Sequence, residues 1–156
     1  MKKKRKKHII EDTRQKPEKH ESKHRGFDRQ GVEVYRSKLP VGDYALPPSC
    51  VVDTKADVAE LAENLLGSRH ERERFETELA KAHEWGSRLV VLVEDDRLDN
   101  FEEIRDASIQ HPAGYFFPGS RILEEMERLR AKYGTEFRVC RKKDSAKVII
   151  ETLQQY

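Results

Sequence analysis

A chain of 156 residues is long enough for one domain around a single hydrophobic core. With 36% hydrophobic against 38% charged residues, its surface must be dense with charge, and no apolar run approaches the length that crosses a membrane. The basic start runs into Glu11 and Asp12 instead of an apolar stretch, which argues against a signal peptide. Cys50 and Cys140 are distant thiols without metal-ligand spacing; together these features read as a reduced, cytoplasmic chain.

The net charge of +2 hides an asymmetry. Residues 1–30 carry 12 Lys/Arg against 5 Asp/Glu, leaving 19 against 24 for the remainder. Lys2, Lys3, Lys4, Arg5, Lys6 and Lys7 repel one another and cannot pack, so residues 1–8 are expected to form a disordered basic arm before a single domain over 9–156. Such an arm is either a solubilising terminus or a salt-sensitive holder of nucleic-acid phosphates.

In chain order, His8 to Asp12 reads as a strand and Lys19 to Gln30 as a polar helical connection closed by Gly31. Val32 to Leu39 alternates like a strand with one wet face, ended by Pro40; Gly42 supplies a turn and Pro47-Pro48 a short loop. Cys50 to Lys55 is a third strand. Asp57 to Leu66 places Val58, Leu61, Leu65 and Leu66 at helical spacing, broken by Gly67. Arg69 to Trp85 is a charged helix with Phe75, Leu79 and Ala82 on one stripe, stopped by Gly86. Arg88 to Glu94 is a continuous apolar strand of the kind buried on both faces. Residues 95–118 read as irregular, with a short helix from Phe101 to Ala107. Then follow a helix from Ser120 to Tyr133, a strand from Phe137 to Cys140 and a helix from Ser145 to Gln155. This order predicts an α/β fold with a central mixed sheet flanked by helices.

The chemistry concentrates in Gly42-Asp43 and in Asp53-Thr54-Lys55. Alternation along a strand turns Asp53 and Lys55 to one side and Thr54 to the other. If the strands on either side of the turn are neighbours, Asp43 falls beside Asp53. Two carboxylates about 4 Å apart repel by roughly 4 kcal/mol at an effective dielectric near 20, and a divalent cation relieves this. Mg²⁺ takes one or two carboxylates together with substrate phosphate, and the lysine stands where it can orient water or steady a phosphate. That is a metal-dependent nuclease site in outline. A second acid-x-Lys match, Glu21-Ser22-Lys23, lacks a strand signal and reads as a solvated face.

The same stretches carry a family likeness. Ile9-Ile10-Glu11-Asp12-Thr13-Arg14-Gln15, Lys38-Leu39-Pro40-Val41-Gly42-Asp43-Tyr44 and Val52-Asp53-Thr54-Lys55 resemble, in order, the motifs of the XPF-type structure-specific nuclease domain, within the restriction-endonuclease-like superfamily. Arg72-Glu73-Arg74-Phe75-Glu76 and Leu89 to Glu94 also fit, and the compact form resembles free-standing bacterial and phage members. The resemblance implies a restriction-endonuclease-like fold, Asp12 as a third acid, Arg14 as a phosphate ligand, and Arg72 or Arg74 as a further phosphate contact. It implies Mg²⁺ or Mn²⁺ as cofactor and DNA, branched or flapped, as substrate. Relatives often pair through this domain, which leaves a homodimer or a partner subunit open. The chain departs from the family at Gln15, an acid in relatives; at Asp53, a glutamate; at Thr54, an arginine; and at Ala59, an aspartate, for which Asp57 or Glu60 is a substitute.

Other candidates have plainer readings beside the functional ones. His20 and His24 share a helical face and read as solvated, since no third metal ligand is in view. His83 complements a helix end. Trp85 and Tyr44 are able to stack on a base, but Trp85 reads first as core. Glu94 borders the site. Two other functions fit the same residues: a catalytically silent DNA-binding subunit of this fold, and a small α/β interaction protein.

Overall fold

A computed structural model of the chain describes residues 7–39, 41–46, 50–84 and 86–155. Lys2, Lys3, Lys4, Arg5 and Lys6, Pro40, the Pro47-Pro48 loop and Trp85 lie outside the described residues, as does the side chain of Lys7. The strands are β1 (Lys7–Glu11), β2 (Val32–Arg36), β3 (Tyr44–Leu46), β4 (Cys50–Lys55), β5 (Arg88–Glu94), β6 (Ser108–Gln110), β7 (Phe116–Pro118) and β8 (Glu136–Cys140). The helices are α1 (Glu21–Arg29), α2 (Val58–Leu66), α3 (Arg69–Glu84), α4 (Gly119–Tyr133) and α5 (Ser145–Gln155).

Six strands form a mixed sheet in the order β2-β1-β3-β4-β5-β8, and β6 and β7 make a separate two-stranded ribbon. β3 is antiparallel to both its neighbours, while β1–β2, β4–β5 and β5–β8 are parallel. The central position of β5 explains its composition. Every residue from Leu89 to Glu94 is buried, as a strand covered on both faces requires.

Side-chain parity divides the interior. Val51, Val91 and Val93 face a core shared with Leu61 of α2, Phe75 and Leu79 of α3, and Ile122 and Leu129 of α4. Val52, Val90 and Leu92 face a second core with Phe27 of α1 and Ile149 and Leu153 of α5. The architecture is therefore helix, sheet, helix. Each fully buried Val, Leu, Ile or Phe adds roughly 1.5–3 kcal/mol of transfer free energy.

Four local expectations change. The second strand stops at Arg36, and the chain re-enters the sheet as β3, too short to show alternation. β3 rather than β2 is the neighbour of β4, and β2 lies at the sheet edge. Within 95–118, the helix shortens to a single turn, Phe101–Ile104, and the ribbon appears where no strand was expected. Tyr44 is completely buried against Phe27, ring centroids 5.6 Å apart, so it is a core residue and not a base-stacking one.

Candidate active site

β3 and β4 bring the two key aspartates together. Their antiparallel register pairs Tyr44 with Val52, so Asp43 and Asp53 are the next opposed positions just past the paired residues. Gly42 makes that approach possible. Its φ is +76°, and a Cβ there would lie 2.1 Å from Val51 Cγ1. The Asp43 amide donates to Val52 O at 2.9 Å, and its carbonyl accepts from the Asp12 amide at 2.7 Å. The aspartate is thereby fixed to both β4 and the end of β1.

Gln15 and Thr54, noted in the sequence only as departures, hold the Asp43 carboxylate. Gln15 Nε2 donates to Asp43 Oδ1 at 2.6 Å. The Thr54 amide and hydroxyl donate to Oδ2 at 2.8 and 2.9 Å. These donors do not offset the cost of confinement: burial first, and then the charge of Asp53, push the Asp43 carboxyl up to about 7.

Lys55 Nζ lies 2.8 Å from Asp53 Oδ2, and the two form a buried ion pair. The ammonium also sits 5.0 Å over the Phe75 ring. Burial alone would lower its pKa; Asp53 more than offsets that and holds it above its ordinary value, so Lys55 stays charged. Beyond Lys55 the chain turns into α2, whose first turn is held by three acids. Asp57 accepts from the Glu60 amide, Glu60 from the Ala56 amide and Asp95 from the Val58 amide.

These groups lie in a cleft of about 680 Å³. One wall is α3, through Arg74, Phe75 and Glu78; another comes from Lys19, His20 and Lys23; Glu60 and Asn64 close a third side. Glu78 is half-buried, and burial followed by the charge of Asp53 raises its pKa. Asp12 and Arg14 also line the cleft, but they are engaged with each other. Asp12 Oδ2 accepts from Arg14 Nε at 2.5 Å and Oδ1 from the Leu39 amide at 2.8 Å. Burial pushes the Asp12 carboxyl up, and these donors bring it below its ordinary value. Arg74 lines the cleft while paired with Glu71 at 2.6 Å. Arg72 does not line it; it faces a second cleft between α3 and α4. Ala59 is buried in the core, whereas Glu60 lines the cleft and Asp57 caps α2.

Two faces read as solvated are tied into the structure. Lys23 reaches Glu94 at 2.8 Å, and Ser145 also donates to Glu94. His24 Nε2 lies 2.7 Å from Glu11, a fully buried carboxylate that also pairs with Arg36 at 3.1 Å. A helix read in isolation cannot reveal this, because the acids it meets come from β1 and β5. Glu94 lines the cleft margin, as expected from its place at the end of β5.

The donor set suits a hard cation. Asp43 and Asp53 are opposed carboxylates, Asp53 buried and Asp43 half-buried, and Asp53 Oδ2 has only the Lys55 ammonium as partner. Among the described residues no group of three or more His, Cys, Asp or Glu side chains is arranged to hold a metal. Two carboxylates match the modest protein share that Mg²⁺ takes, its remaining positions being filled by water and phosphate oxygens.

Comparison with known proteins gives the family and the fold. Residues 11–152 match the family model of the ERCC4 domain. None of the curated proteins matches the chain. Among solved structures, XPF from Aeropyrum pernix is similar at 19% identity and a TM-score of 0.64, over 95% of this chain and 60% of that one. The same protein in complex with DNA is similar at 19% identity and a TM-score of 0.65, over 96% and 64%. The chain thus spans under two thirds of the length of these structures, and at this identity the likeness is one of fold.

Proposed function

The chain belongs to the ERCC4 domain family, a nuclease-type domain, and from that premise we propose that it is a metal-dependent endonuclease hydrolysing DNA phosphodiesters at branched or flapped structures. The observation that carries this reading is the opposed Asp43–Asp53 pair with Lys55 at 2.8 Å from Asp53, lining an open cleft.

Asp43 and Asp53 would hold Mg²⁺ or Mn²⁺, which when bound acidifies water and offsets charge on the phosphate. The chain's own contribution is orientation. Gln15 and Thr54 fix the rotamer of Asp43, and Asp53 holds the Lys55 ammonium in place. Lys55 then orients the attacking water and stabilises charge that develops on the phosphoryl oxygens. The Phe75 ring keeps bulk water from one side of that ammonium and preserves its field. Arg74 exchanges Glu71 for a substrate phosphate, and Arg14 stays with Asp12 as a brace between β1 and the Leu39 backbone. The basic run Lys2 to Lys7 adds salt-sensitive affinity for DNA. The Aeropyrum pernix XPF complex contains DNA, and a domain of the same fold is suited to the same kind of ligand.

The test is cleavage of labelled single strand, duplex, splayed arm, flap and four-way junction with Mg²⁺, Mn²⁺ or EDTA. Metal-dependent cutting that disappears in Asp53→Ala supports the proposal. Cutting that survives in both Asp43→Ala and Asp53→Ala refutes this site. Binding of the same substrates without cutting in any metal favours a silent DNA-binding subunit.

A further inference from the structure

The sides of the active cleft differ in charge. Among the described residues, α2 and α3 present Glu60, Glu78 and one cation, Arg74, which is paired with Glu71. The other side presents Lys19, His20 and Lys23, before and within α1, and Lys142, just past β8; its one acid is Glu94. Parity explains where that acid goes. Glu94 shares a face of β5 with Val90 and Leu92, the face on which α1 and α5 pack, so it meets Lys23 and Ser145 there. Both Glu94 oxygens lie within reach of the Lys23 ammonium, at 2.8 and 3.0 Å, and the two side chains are only 11% and 9% exposed. Lys23 is therefore neutralised and is not free to take a phosphate.

The third donor of Lys23 fixes His20. Lys23 Nζ lies 3.3 Å from His20 Nδ1. An ammonium only donates, so Nδ1 accepts, and the proton of the neutral ring sits on Nε2. Burial, and then the charge of Lys23, lower the His20 pKa from its ordinary value, which keeps the ring in this form at neutral pH. Ser145, Glu94, Lys23 and His20 thus make a chain from α5 past the end of β5 to α1, and it ends in an N–H on a ring that lines the cleft. That N–H has no acceptor among the described residues, and the ammonium groups of Lys19 and Lys142 have no hydrogen bond or ion pair there either. Donors without acceptors, on the side whose one carboxylate is already satisfied, suit the non-bridging oxygens of a phosphate.

We propose that this side of the cleft is a phosphate subsite, in which the Nε2–H of His20, flanked by Lys19 and Lys142, holds the DNA phosphate next to the one placed at Asp43 and Asp53. His20 supplies a fixed, uncharged donor, and the two lysines supply charge. Lys23 is a positioning residue that acts through His20. This assignment rests on the nuclease reading, and the test separates the two.

Long-range proton–nitrogen correlation spectra of the full chain should show the His20 proton on Nε2. Binding of a fluorescently labelled splayed-arm DNA is then followed by anisotropy across a salt series, with EDTA present to prevent cutting, and Mn²⁺ affinity is measured separately by calorimetry. His20→Phe keeps the bulk of the ring and removes the N–H. It should weaken DNA binding about tenfold at every salt concentration, with the salt slope and Mn²⁺ affinity unchanged. His20→Gln keeps a donor and should recover most of the loss. Lys19→Gln/Lys142→Gln should instead lower the salt slope by about 2. Lys23→Met/Glu94→Gln removes the ion pair without stranding a buried charge, and should leave both His20 tautomers populated and DNA binding weakened. Three results overturn the assignment alone: a His20 proton on Nδ1, a wild-type slope in the double lysine variant, or a His20→Phe protein that keeps wild-type DNA affinity or loses Mn²⁺ affinity in parallel. Absence of DNA binding by the unsubstituted chain overturns both the assignment and the functional reading beneath it.

Discussion

Replacing Gly42 by alanine separates backbone strain from steric clash at the turn that presents Asp43. Alanine at φ +76° incurs the left-handed penalty of roughly 1–2 kcal/mol. Its Cβ would also stand 2.1 Å from Val51 Cγ1 and 3.3 Å from the Val52 carbonyl, and Val51 is itself buried in the core. Overpacking of that kind costs roughly 1–3 kcal/mol more. Gly42→Ala should therefore lose about 2–5 kcal/mol of unfolding free energy. Gly31 provides the control, since its φ is +67° but a Cβ there meets nothing within 4 Å. Gly31→Ala should lose only the strain, about 1–2 kcal/mol. Urea unfolding of the three proteins, followed by circular dichroism, measures both. Equal losses in the two variants would refute the claim that close approach to β4 requires glycine at position 42.

Other outcomes follow from the site's geometry. Lys55→Met should cut cleavage by about 10²–10³-fold while DNA affinity in EDTA changes little; a matching loss of affinity would make Lys55 a binding residue instead. Thr54→Val removes the hydroxyl donor to Asp43 and keeps the amide one, so Mn²⁺ affinity by calorimetry should fall about tenfold. Without metal, Asp43 retains a proton in the folded state that it has released in the unfolded state between its ordinary 3.8 and about 7. Stability should accordingly decline as pH rises through that window, by at most about 4 kcal/mol, and Asp43→Asn should flatten the decline. Asp95 behaves in the opposite sense. Its hydrogen bonds from Arg97, with help from the Val58 amide, hold it down at about 2, so its contribution is present above 3.8 and lost as pH falls toward 2. Asp95→Asn should cost about 2 kcal/mol at neutral pH, read by denaturation.

Much of this architecture was legible because burial writes itself into composition. The unbroken apolar run Leu89 to Val93 marks a strand covered on both sides, and Val58, Leu61 and Leu65 mark α2 by their spacing. Asp43, Asp53 and Lys55 were visible as a pattern of acids and lysine beside a glycine turn. β3 was not, because three residues carry no periodicity and its hydrogen bonds are purely backbone. Gln15 and Thr54 appeared only as substitutions; that both address the same carboxylate depends on β1, β3 and β4 meeting in space. The engaged states of Lys23 and His24 escaped for the same reason. The groups they meet, Glu94 and Glu11, belong to strands remote in sequence.

The parity of β4 has a bearing on how freely such a site can change. Cys50 and Val52 are committed to one core and Val51 to the other, so a slip of β4 by a single residue would misplace all three before it moved any acid. The accuracy with which Asp53 meets Asp43 is therefore guaranteed by valines and a cysteine that take no part in the chemistry. The shell around the acids is relieved of that duty and is open to experiment by mutation. A neutral glutamine and threonine address Asp43 here, and the acids remain opposed. Side chains that address Asp43 can thus be exchanged without first having to rebuild the sheet.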